Sequence, residues 1–328
     1  MKAIMPSGWG RQTRLVLTDV DEPAAPGPED VLVAVHAASV NPKDRKLNLN
    51  VARWTPPVVT KRFPPVFGDD LAGIVIEKGA NVEDFDVGDA VYGMDMRPRT
   101  ATLAERTRIH QTRIARMPPS LSFEEAAAMP LAAQTALQGL RQGHAGFGRS
   151  VLIIGASGGV GTFAVQIANA MGAHVTGVCS HRNTDFVKAL GADAVIDYTA
   201  GDYRTRAGPF DLVFDVTSYE SPTSCAALTG RSGYFISTGG DARSMVGTPF
   251  YRLLGKKAGT VVVESYREDL ETLFAMVESG QLKPVIDSTF ELIDANGAYD
   301  RNGTGRCRGK VVIRGDGEAD DTSFRRSR

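Results

Sequence analysis

Hydrophobic and polar positions alternate along the first part of the chain. Residues 30–41 have the sequence DVLVAVHAASVN, in which every second side chain from Val31 to Ala37 is apolar and falls on one face of a strand. The segments AGIVIEKG and DAVYGM predict two further short strands, and Gly, Asn and Asp between them predict turns. Residues 1–122 are therefore expected to form an all-β module.

The hydrophobic period changes after this module. Ser122 precedes Glu125 by three residues, the spacing of a capping box, and an Ala-rich helix follows until Pro130 interrupts it. Strands then alternate with helices, two of which are expected at 161–171 and 184–190. The six β-rich runs are VLIIG, HVTGVC, AVIDY, FDLVFDV, GYFIST and GTVVVES. The alternation predicts a doubly wound, six-stranded parallel sheet of the Rossmann type within residues 123–285.

The C-terminal part of the chain is expected to return to the first module. EDLETLFAMVESG (268–280) predicts an amphipathic helix that ends at Gly280, and GKVVIRG (309–315) predicts a last strand. Residues 286–315 would thus complete the first domain. The polar tail, 316–328, is expected to be disordered.

Composition and charge exclude several classes of protein. The 328 residues carry a formal net charge of -1, so no overall field attracts nucleic acid or an anionic membrane. The N-terminal residues have no continuous apolar stretch and no run approaches the length of a membrane span, so neither a signal peptide nor a spanning helix is expected. The three cysteines are far apart, which argues against disulfides and a Cys-rich zinc site and favours the reducing cytoplasm.

A glycine-rich loop follows the first strand of the predicted Rossmann sheet. Ala156, Gly158 and Gly161 have the A-x-G-x-x-G spacing of a dinucleotide fingerprint, with a strand before it and a helix and second strand after it. Gly158 would let the backbone approach a pyrophosphate, and Gly161 would let the helix pack closely on the strand. The phosphates would bind at the helix N-terminus. The alternative is a glycine-rich turn with only a packing role.

The end of the second strand indicates which dinucleotide would bind. NAD sites place a carboxylate there to hold the ribose, but here the first acidic residue is Asp185, inside the next predicted helix. Ser180 and Arg182 occupy the strand end instead. A hydroxyl and a guanidinium favour a 2′-phosphate, so NADPH is the expected cofactor. The alternative is a solvated loop with an incidental arginine.

Over about residues 1–314 the sequence resembles the zinc-free, quinone-oxidoreductase-like branch of the medium-chain dehydrogenase/reductase superfamily. The matching stretches are ASVNPKD, FPPVFGDDLAGIVIEKG, VGDAVYG, LSFEEAAAMPLAAQTALQGL, VLIIGASGGVGTFAVQIANAMGA, LGADAVIDY, LKPVID and GKVVI. The resemblance implies a GroES-like catalytic domain over 1–122 beside the Rossmann domain, and commonly a homodimer. Two stretches depart from the family: AERTRIHQTRIARMP is more basic than the usual apolar strand, and IDANGAYDRNGTGRCRGK is rich in Gly and Asn where relatives usually have a helix.

The resemblance also implies roles for individual residues. Asn41 and Thr135 are expected beside the nicotinamide or its ribose, and Gly239 and Gly240 would let the ring approach the backbone. The residues expected around the phosphates and adenosine are Ser157, Gly158, Gly159, Val160, Ser180, Arg182, Tyr198 and Lys310.

Zinc-binding relatives carry a cysteine in the loop that is NPKD here, and Gly-His-Glu where this chain has Gly68, Asp69 and Asp70. No cysteine precedes Cys179, and His36 and His110 are the only histidines of the first domain. Because a protein zinc site needs thiolate or imidazole ligands, no metal is expected. Asp69 and Asp70 are interpreted as loop-capping or hydrogen-bonding residues.

Without zinc, hydride must go to a carbon that is already polarised, as in a quinone or an α,β-unsaturated ketone or aldehyde. Asn41 would orient the reactants, and Lys43 and Asp44 are the nearest ionisable candidates to supply a proton. One alternative is a 2-enoyl thioester reductase, although the tyrosine acid usual after the Asn loop is missing, since no Tyr precedes Tyr92. Another is a structural or regulatory protein that binds NADPH without turnover.

Overall fold

The computed structural model describes residues 1–8, 13–44, 67–96, 101–205, 208–230, 232–239, 251, 255 and 257–315. Contacts divide the chain into two compact units. Unit 1 comprises 1–131, 265–274 and 286–328, and unit 2 comprises 132–264 and 275–285. The division falls at 131/132, nine residues after the expected boundary at 122/123, and residues 265–274 belong to unit 1. The predicted tail, 316–328, lies outside the described residues.

Unit 1 is rich in β-structure. Its described strands are β1 (Lys2–Pro6), β2 (Leu15–Asp19), β3 (Asp30–Val40), β4 (Asp70–Lys78), β5 (Ala90–Met94), β6 (Arg106–His110), β7 (Ile114–Arg116), β14 (Ile286–Glu291) and β15 (Lys310–Arg314). They form a β1-β2 pair and a sheet of order β14-β15-β3-β4-β5-β7, with β6 paired to β3. Because β15 pairs antiparallel with β3, the predicted return of the last strand to the first module is confirmed.

The long strand β3 has the predicted apolar face, but its other face is not exposed to solvent. Val31, Val33 and Val35 are buried in the core of unit 1, as predicted. The opposite face is also covered, because His36 stacks on Phe123 at 4.4 Å between ring centroids. Phe123 begins α1 (Phe123–Ala127), whose Ser122–Glu125 capping box is present as predicted.

Unit 2 is the predicted doubly wound domain. Its strands are β8 (Ser150–Ile154), β9 (His174–Cys179), β10 (Ala194–Asp197), β11 (Leu212–Asp215), β12 (Tyr234–Thr238) and β13 (Ala258–Val261). They form a six-stranded sheet of order β10-β9-β8-β11-β12-β13, and every pair is parallel. An α/β Rossmann sheet in one unit and a β-rich domain in the other confirm the predicted fold class. The central strands of the Rossmann sheet are mostly apolar, with Leu152, Val213 and Phe235 fully buried, as is typical of parallel strands covered on both faces.

The other α-helices of the described residues are α2 (Pro130–Gln142), α3 (Gly159–Ala170), α4 (Thr184–Ala189), α5 (Ala226–Thr229), α6 (Arg267–Glu278) and α7 (Ala295–Gly303). Helix α7 lies in the Gly- and Asn-rich stretch, where the sequence did not predict a helix. Asp294 caps it by accepting a hydrogen bond from the Gly297 backbone, and Ala295, Ala298 and Tyr299 are buried. Capping and burial thus outweigh weak helix propensity. Within the described residues, no helix is both long and apolar enough to cross a membrane.

Candidate active site

One candidate site lies in unit 1, where β3 ends beside the start of β4. Asn41 follows β3 directly, and its amide is held at both ends. Its Nδ2 donates to Asp70 Oδ2 at 2.8 Å, and Lys310 Nζ donates to its Oδ1 at 2.6 Å. Asn41 is 2% exposed. The amide of the predicted nicotinamide neighbour is therefore fixed in position by two charged side chains.

Asp70 is the centre of this network. Its carboxylate is fully buried and also accepts from the Ser39 hydroxyl and from the Leu131 backbone N–H at 2.6 Å. The pairing of Ser39 with Asp70 in the β3–β4 ladder places the two side chains together. A carboxylate with several donors holds its partners in one geometry. Sequence reasoning recognised Asp70 as a hydrogen-bonding residue but not as the residue that orients Asn41.

Lys310 takes part in the same network at the start of β15. Its ammonium lies 2.6 Å from Asn41 Oδ1, 3.3 Å from the Val40 carbonyl oxygen and 3.5 Å from Asp70 Oδ2. The side chain is 4% exposed. An ammonium has three donors, and all three face protein oxygens here. A contact with the adenosine phosphates would require Lys310 to give up one of them, and that role stays a prediction.

A second cluster surrounds Lys43. Lys43 Nζ donates to Asp69 Oδ1 at 2.7 Å and lies 3.9 Å from Asp44 Oδ1. Asp44 Oδ2 accepts from the Asn41 backbone N–H and, at 3.2 Å, from the Tyr299 hydroxyl of α7. The two proton-donor candidates, Lys43 and Asp44, are thus brought together with Asn41, and with Asp69 and Tyr299, which sequence reasoning did not select.

Burial dominates the ionisation of this cluster. It raises the pKa of Asp44 to about 6, although the Lys43 ammonium opposes the shift. Burial, together with the negative charge of Asp44, raises the pKa of Asp69 to about 8. It also holds the pKa of Tyr299 well above its ordinary value. Asp44 Oδ1 and Asp69 Oδ2 are both buried without a hydrogen-bond partner. Such atoms favour the protonated form, because an uncompensated buried charge is costly.

Unit 2 has a candidate site of its own, the glycine loop between β8 and α3. Gly155 has φ +88°, the left-handed region that glycine favours, which gives the tight turn. A Cβ at Gly161 would lie 2.1 Å from the Gly155 carbonyl oxygen, so close packing requires glycine there. A Cβ at Gly158 would have one neighbour within 4 Å, at 3.4 Å. Packing against the described residues therefore does not require glycine at 158, and a residue without a side chain lets a ligand such as a pyrophosphate approach the backbone there.

The N-terminus of α3 adds to this fit. Gly158 is its N-cap residue and provides no side-chain cap, while Gly159 and Val160 begin the first turn. The first N–H groups of a helix have no partner within the helix, and they carry the positive end of its dipole. An anion in front of Gly158 would satisfy them. The residues present thus fit a dinucleotide.

The loop after β9 is linked to the glycine loop by Asn183. This buried amide donates from Nδ2 to Ser157 Oγ at 2.9 Å and to Ser180 Oγ at 3.4 Å. Two of the predicted cofactor residues are thus brought together, whereas Arg182 is exposed in the short helical turn 181–183. Asn183 was not among the residues that the sequence predicted to be in the site. A short polar side chain directly before a helix was the available signal.

A carboxylate reaches the end of β9 from the neighbouring strand. Asp197, the last residue of β10, pairs with Cys179 in the ladder. It accepts from the Thr199 hydroxyl at 2.6 Å and backbone N–H at 2.8 Å, and lies 3.4 Å from His181 Nδ1. The Thr199 hydroxyl lowers the pKa of Asp197. Asp197 could not be recognised from the sequence of β9, because it belongs to β10 and reaches the end of β9 only through parallel pairing.

The other predicted cofactor residues are placed as follows. Thr135 is buried in α2, Tyr198 is half exposed directly after β10, and Gly239 follows β12, where a Cβ would meet Thr260. Gly240 lies outside the described residues. In the part of the chain that the structure describes, no group of three or more His, Cys, Asp or Glu side chains is arranged to hold a metal ion.

Fold and loop together define a dinucleotide-binding protein with a separate β-rich domain, and known proteins with this combination were found. The family model of the alcohol dehydrogenase GroES-like domain matches residues 27–130, and that of zinc-binding dehydrogenase matches 190–313. A 2-methylene-furan-3-one reductase of Solanum lycopersicum is 35% identical over 295 residues, with 87% of this chain and 71% of the relative covered.

Two further matches cover nearly the whole chain. A chloroplastic quinone-oxidoreductase homolog of Spinacia oleracea is 33% identical over 327 residues, with 95% of this chain and 98% of the relative covered. The structure of the quinone oxidoreductase from Coxiella burnetii matches with a TM-score of 0.84 at 30% identity, over 96% of this chain and 99% of that one. The chain belongs to the quinone-oxidoreductase-like branch of the medium-chain dehydrogenase/reductase superfamily, a superfamily of oxidoreductases.

Proposed function

We propose that this protein is an NADPH-dependent, zinc-independent oxidoreductase that transfers hydride to a conjugated carbonyl compound, either a quinone or an α,β-unsaturated ketone or aldehyde. The observation that carries the proposal is the open space in front of Gly158 at the uncapped N-terminus of α3, which fits a pyrophosphate. The acceptor class is supported by the relatives, one named for reduction of an unsaturated furanone and others for quinones.

NADPH rather than NADH is proposed because of the loop after β9. Ser180 and Arg182 offer a hydroxyl and a guanidinium to a 2′-phosphate. The carboxylate of Asp197 lies nearby, but Thr199 and His181 already engage its oxygens. The preference is a proposal that binding measurements decide.

Bound NADPH would supply the hydride that adds to the electron-poor carbon of the acceptor. The residues of this chain would bind and orient the reactants. Asn41, fixed by Asp70 and Lys310, would hold its part of the site without reorganisation during the reaction. Lys43 is the proposed proton donor, because its side chain is 30% exposed while Asp44 and Asp69 beside it are buried.

Independence of zinc is proposed from the types of residue available. The chain has no cysteine before Cys179, and only His36 and His110 provide imidazoles in the first 122 residues. Thiolate and imidazole are the usual zinc ligands. Carbonyl polarisation would then come from hydrogen bonds of the protein and from the conjugation of the acceptor.

The test is a turnover assay. The purified protein is mixed with NADPH or NADH and a panel of quinones, enones, enals and 2-enoyl thioesters, and nicotinamide oxidation is followed by absorbance. Turnover of a quinone or an enone with NADPH is expected. Preferential turnover of the thioesters would favour the enoyl reductase alternative, and binding of NADPH without turnover of any acceptor would favour a regulatory role.

We further propose that the protein acts as a homodimer in the cytoplasm. Strand β13 is the last in the order of the six-stranded sheet, and Val262 directly after it is 75% exposed. Among the described strands β13 is thus an edge strand, and an edge strand followed by an exposed apolar residue offers a position for pairing with a second copy. Sedimentation equilibrium at assay concentrations should give twice the chain mass, whereas a monomeric mass would contradict the proposal.

A further inference from the structure

The described residues around Lys43 and Asn41 include more negatively charged groups than positively charged ones. Asp44, Asp69 and Asp70 are all buried, and Lys43 and Lys310 are the ammonium groups bonded to them. One further pair faces the cluster: the Asp95 backbone N–H donates to the Asp69 carbonyl, and the Asp95 carboxylate lies 3.6 Å from Arg113. That pair is neutral. Among the described residues, full ionisation would therefore leave one negative charge without a matching ammonium group.

An uncompensated buried charge is removed most easily by binding a proton. Asp70 cannot take it without weakening the bonds from Asn41, Ser39, Leu131 and Lys310. The remaining candidates are Asp44 and Asp69, each of which has one buried oxygen that accepts no hydrogen bond from the described residues. The pKa of Asp69 is the higher of the two, because the negative charge of Asp44 adds to the effect of burial.

We propose that Asp69 holds one proton at neutral pH and, acting through Lys43, supplies it to the anion that hydride transfer leaves on the acceptor. The geometry supports this route. Lys43 Nζ bonds to Asp69 Oδ1 at 2.7 Å, and among Lys43, Asp44 and Asp69 the lysine has the most exposed side chain. Asp69 is thus a positioning and proton-storing residue, and its delivery step rests on the proposed function.

Proton delivery consists of two transfers, from Lys43 to the acceptor and then from Asp69 to Lys43. Hydride addition to the β-carbon gives an enolate, or from a quinone the hydroquinone anion, and this anion takes a proton from the Lys43 ammonium. The O–H bond of Asp69 then breaks, and its proton restores the ammonium, so that an aspartate–ammonium pair remains. Water returns a proton to Asp69 before the next turnover. The acceptor is reduced by two electrons and gains one hydride and one proton.

Storage and delivery are tested separately, on the full-length protein. Asp69→Asn keeps the size of the side chain but removes the exchangeable proton. Asp86→Asn is the matched control, because Asp86 also accepts from a lysine at 2.8 Å but has a 76% exposed side chain. The infrared C=O stretch of a protonated carboxylic acid is recorded for the three proteins from about pH 5 to pH 9. kcat is measured over the same range at saturating NADPH and acceptor.

The infrared band and the pH dependence of kcat should both distinguish Asp69→Asn from the other two proteins. Wild type and Asp86→Asn should show a carboxylic acid band at neutral pH that disappears on titration to high pH, and Asp69→Asn should lack it. Loss of Asp69 should lower kcat at neutral pH by roughly tenfold and remove the decline of kcat above about pH 8. The KM for NADPH should not change.

Two results would overturn the proposal: no titrating acid band in wild type, or an unchanged kcat–pH profile in Asp69→Asn. If wild type reduces no acceptor, the proposed function fails and the delivery step fails with it. The infrared titration then still decides whether Asp69 stores a proton. Misfolding of Asp69→Asn is checked by circular dichroism, and Asp69→Ser, which also lacks an acidic proton, replaces it if needed.

Discussion

The Asn41 amide has two roles that mutation can separate. It satisfies the buried charges of Asp70 and Lys310, and it is the proposed neighbour of the nicotinamide. Truncation would therefore remove one hydrogen bond from each of two buried charged groups, as well as a contact with the reactants. A suitable control removes a bond to Asp70 without touching the proposed nicotinamide neighbour, and Ser39 provides it.

We predict that Asn41→Ala and Ser39→Ala each lower the free energy of unfolding by about 1–3 kcal/mol. Only Asn41→Ala should also lower kcat, and by more than it weakens NADPH binding, because the phosphate contacts persist while the orientation of the reactants is lost. Chemical denaturation, steady-state kinetics and cofactor titration measure the three quantities. An unchanged kcat in Asn41→Ala would remove Asn41 from the active site.

The loop after β9 carries the prediction of cofactor preference. Charge-assisted hydrogen bonds to phosphate contribute roughly 1.5–3 kcal/mol each, so Arg182→Ala should weaken NADPH binding by roughly tenfold to a hundredfold. NADH binding should hardly change. Ser180→Asp should go further, because its carboxylate repels a 2′-phosphate and accepts from a ribose hydroxyl. Dissociation constants of both cofactors for each protein provide the measurement.

A wild-type preference for NADH, or equal weakening of both cofactors by Arg182→Ala, would contradict this assignment. Asp197 would then be the first residue to examine, since β10 places its carboxylate next to the end of β9. Tyr198, directly after it, and Lys310 would follow.

The β8–α3 turn contains two glycines that are needed for different reasons. A Cβ at Gly161 would lie 2.1 Å from the Gly155 carbonyl oxygen, so Gly161→Ala should destabilise the fold by about 1–3 kcal/mol. A Cβ at Gly158 meets nothing closer than 3.4 Å. Gly158→Ala should therefore leave the melting temperature unchanged but weaken NADPH binding by roughly tenfold or more, about 1.4 kcal/mol.

Thermal melts and cofactor titrations of the two variants separate these effects, and each variant is the control for the other. If Gly158→Ala bound NADPH as wild type does, the turn would have only a packing role. That result would also remove the observation on which the proposed function depends.

The elements that local signals define could be predicted from the sequence, whereas contacts between distant segments could not. The Ser122–Glu125 capping box and the apolar parallel strands are local patterns, and the structure confirms them. Helix α7 depends on burial of Tyr299, which composition does not reveal. The Asp44–Tyr299 bond joins residues 255 positions apart. Asn41 and Lys43 could be predicted as site residues because the loop motif is local. The raised pKa of Asp69 could not be predicted, because it depends on burial and on the charges of Asp44 and Lys43, which only folding brings close.

The molecule as a whole should work without a resident metal. We predict that elemental analysis of active protein finds no stoichiometric zinc and that chelators leave kcat unchanged, because cysteine is absent before Cys179. A zinc-dependent medium-chain dehydrogenase provides the positive control for the chelator. Stoichiometric zinc that is lost together with activity would contradict the prediction.

The buried carboxylates also affect the stability of the folded protein as a function of pH. The pKa values of Asp44 and Asp69 are raised in the folded state, to about 6 and about 8, above the value of about 4 in an unfolded chain. Between these values the folded state binds more protons than the unfolded state. The free energy of unfolding must then fall as pH rises from about 4 to about 8, and the contribution of Asp69 is lost last.

Asp69→Asn should remove the largest part of the decrease in the free energy of unfolding with rising pH. We predict that the variant melts at a higher temperature than wild type at about pH 8, where wild type must bury an ionised Asp69, and that the advantage disappears toward about pH 5. The exposed control Asp86→Asn should show no such gain, since Lys78 lowers the pKa of Asp86 instead. Melting curves across this pH range provide the measurement. A variant less stable than wild type at pH 8 would mean that Asp69 is ionised there and stabilised by Lys43, and the cluster would then hold no proton to deliver.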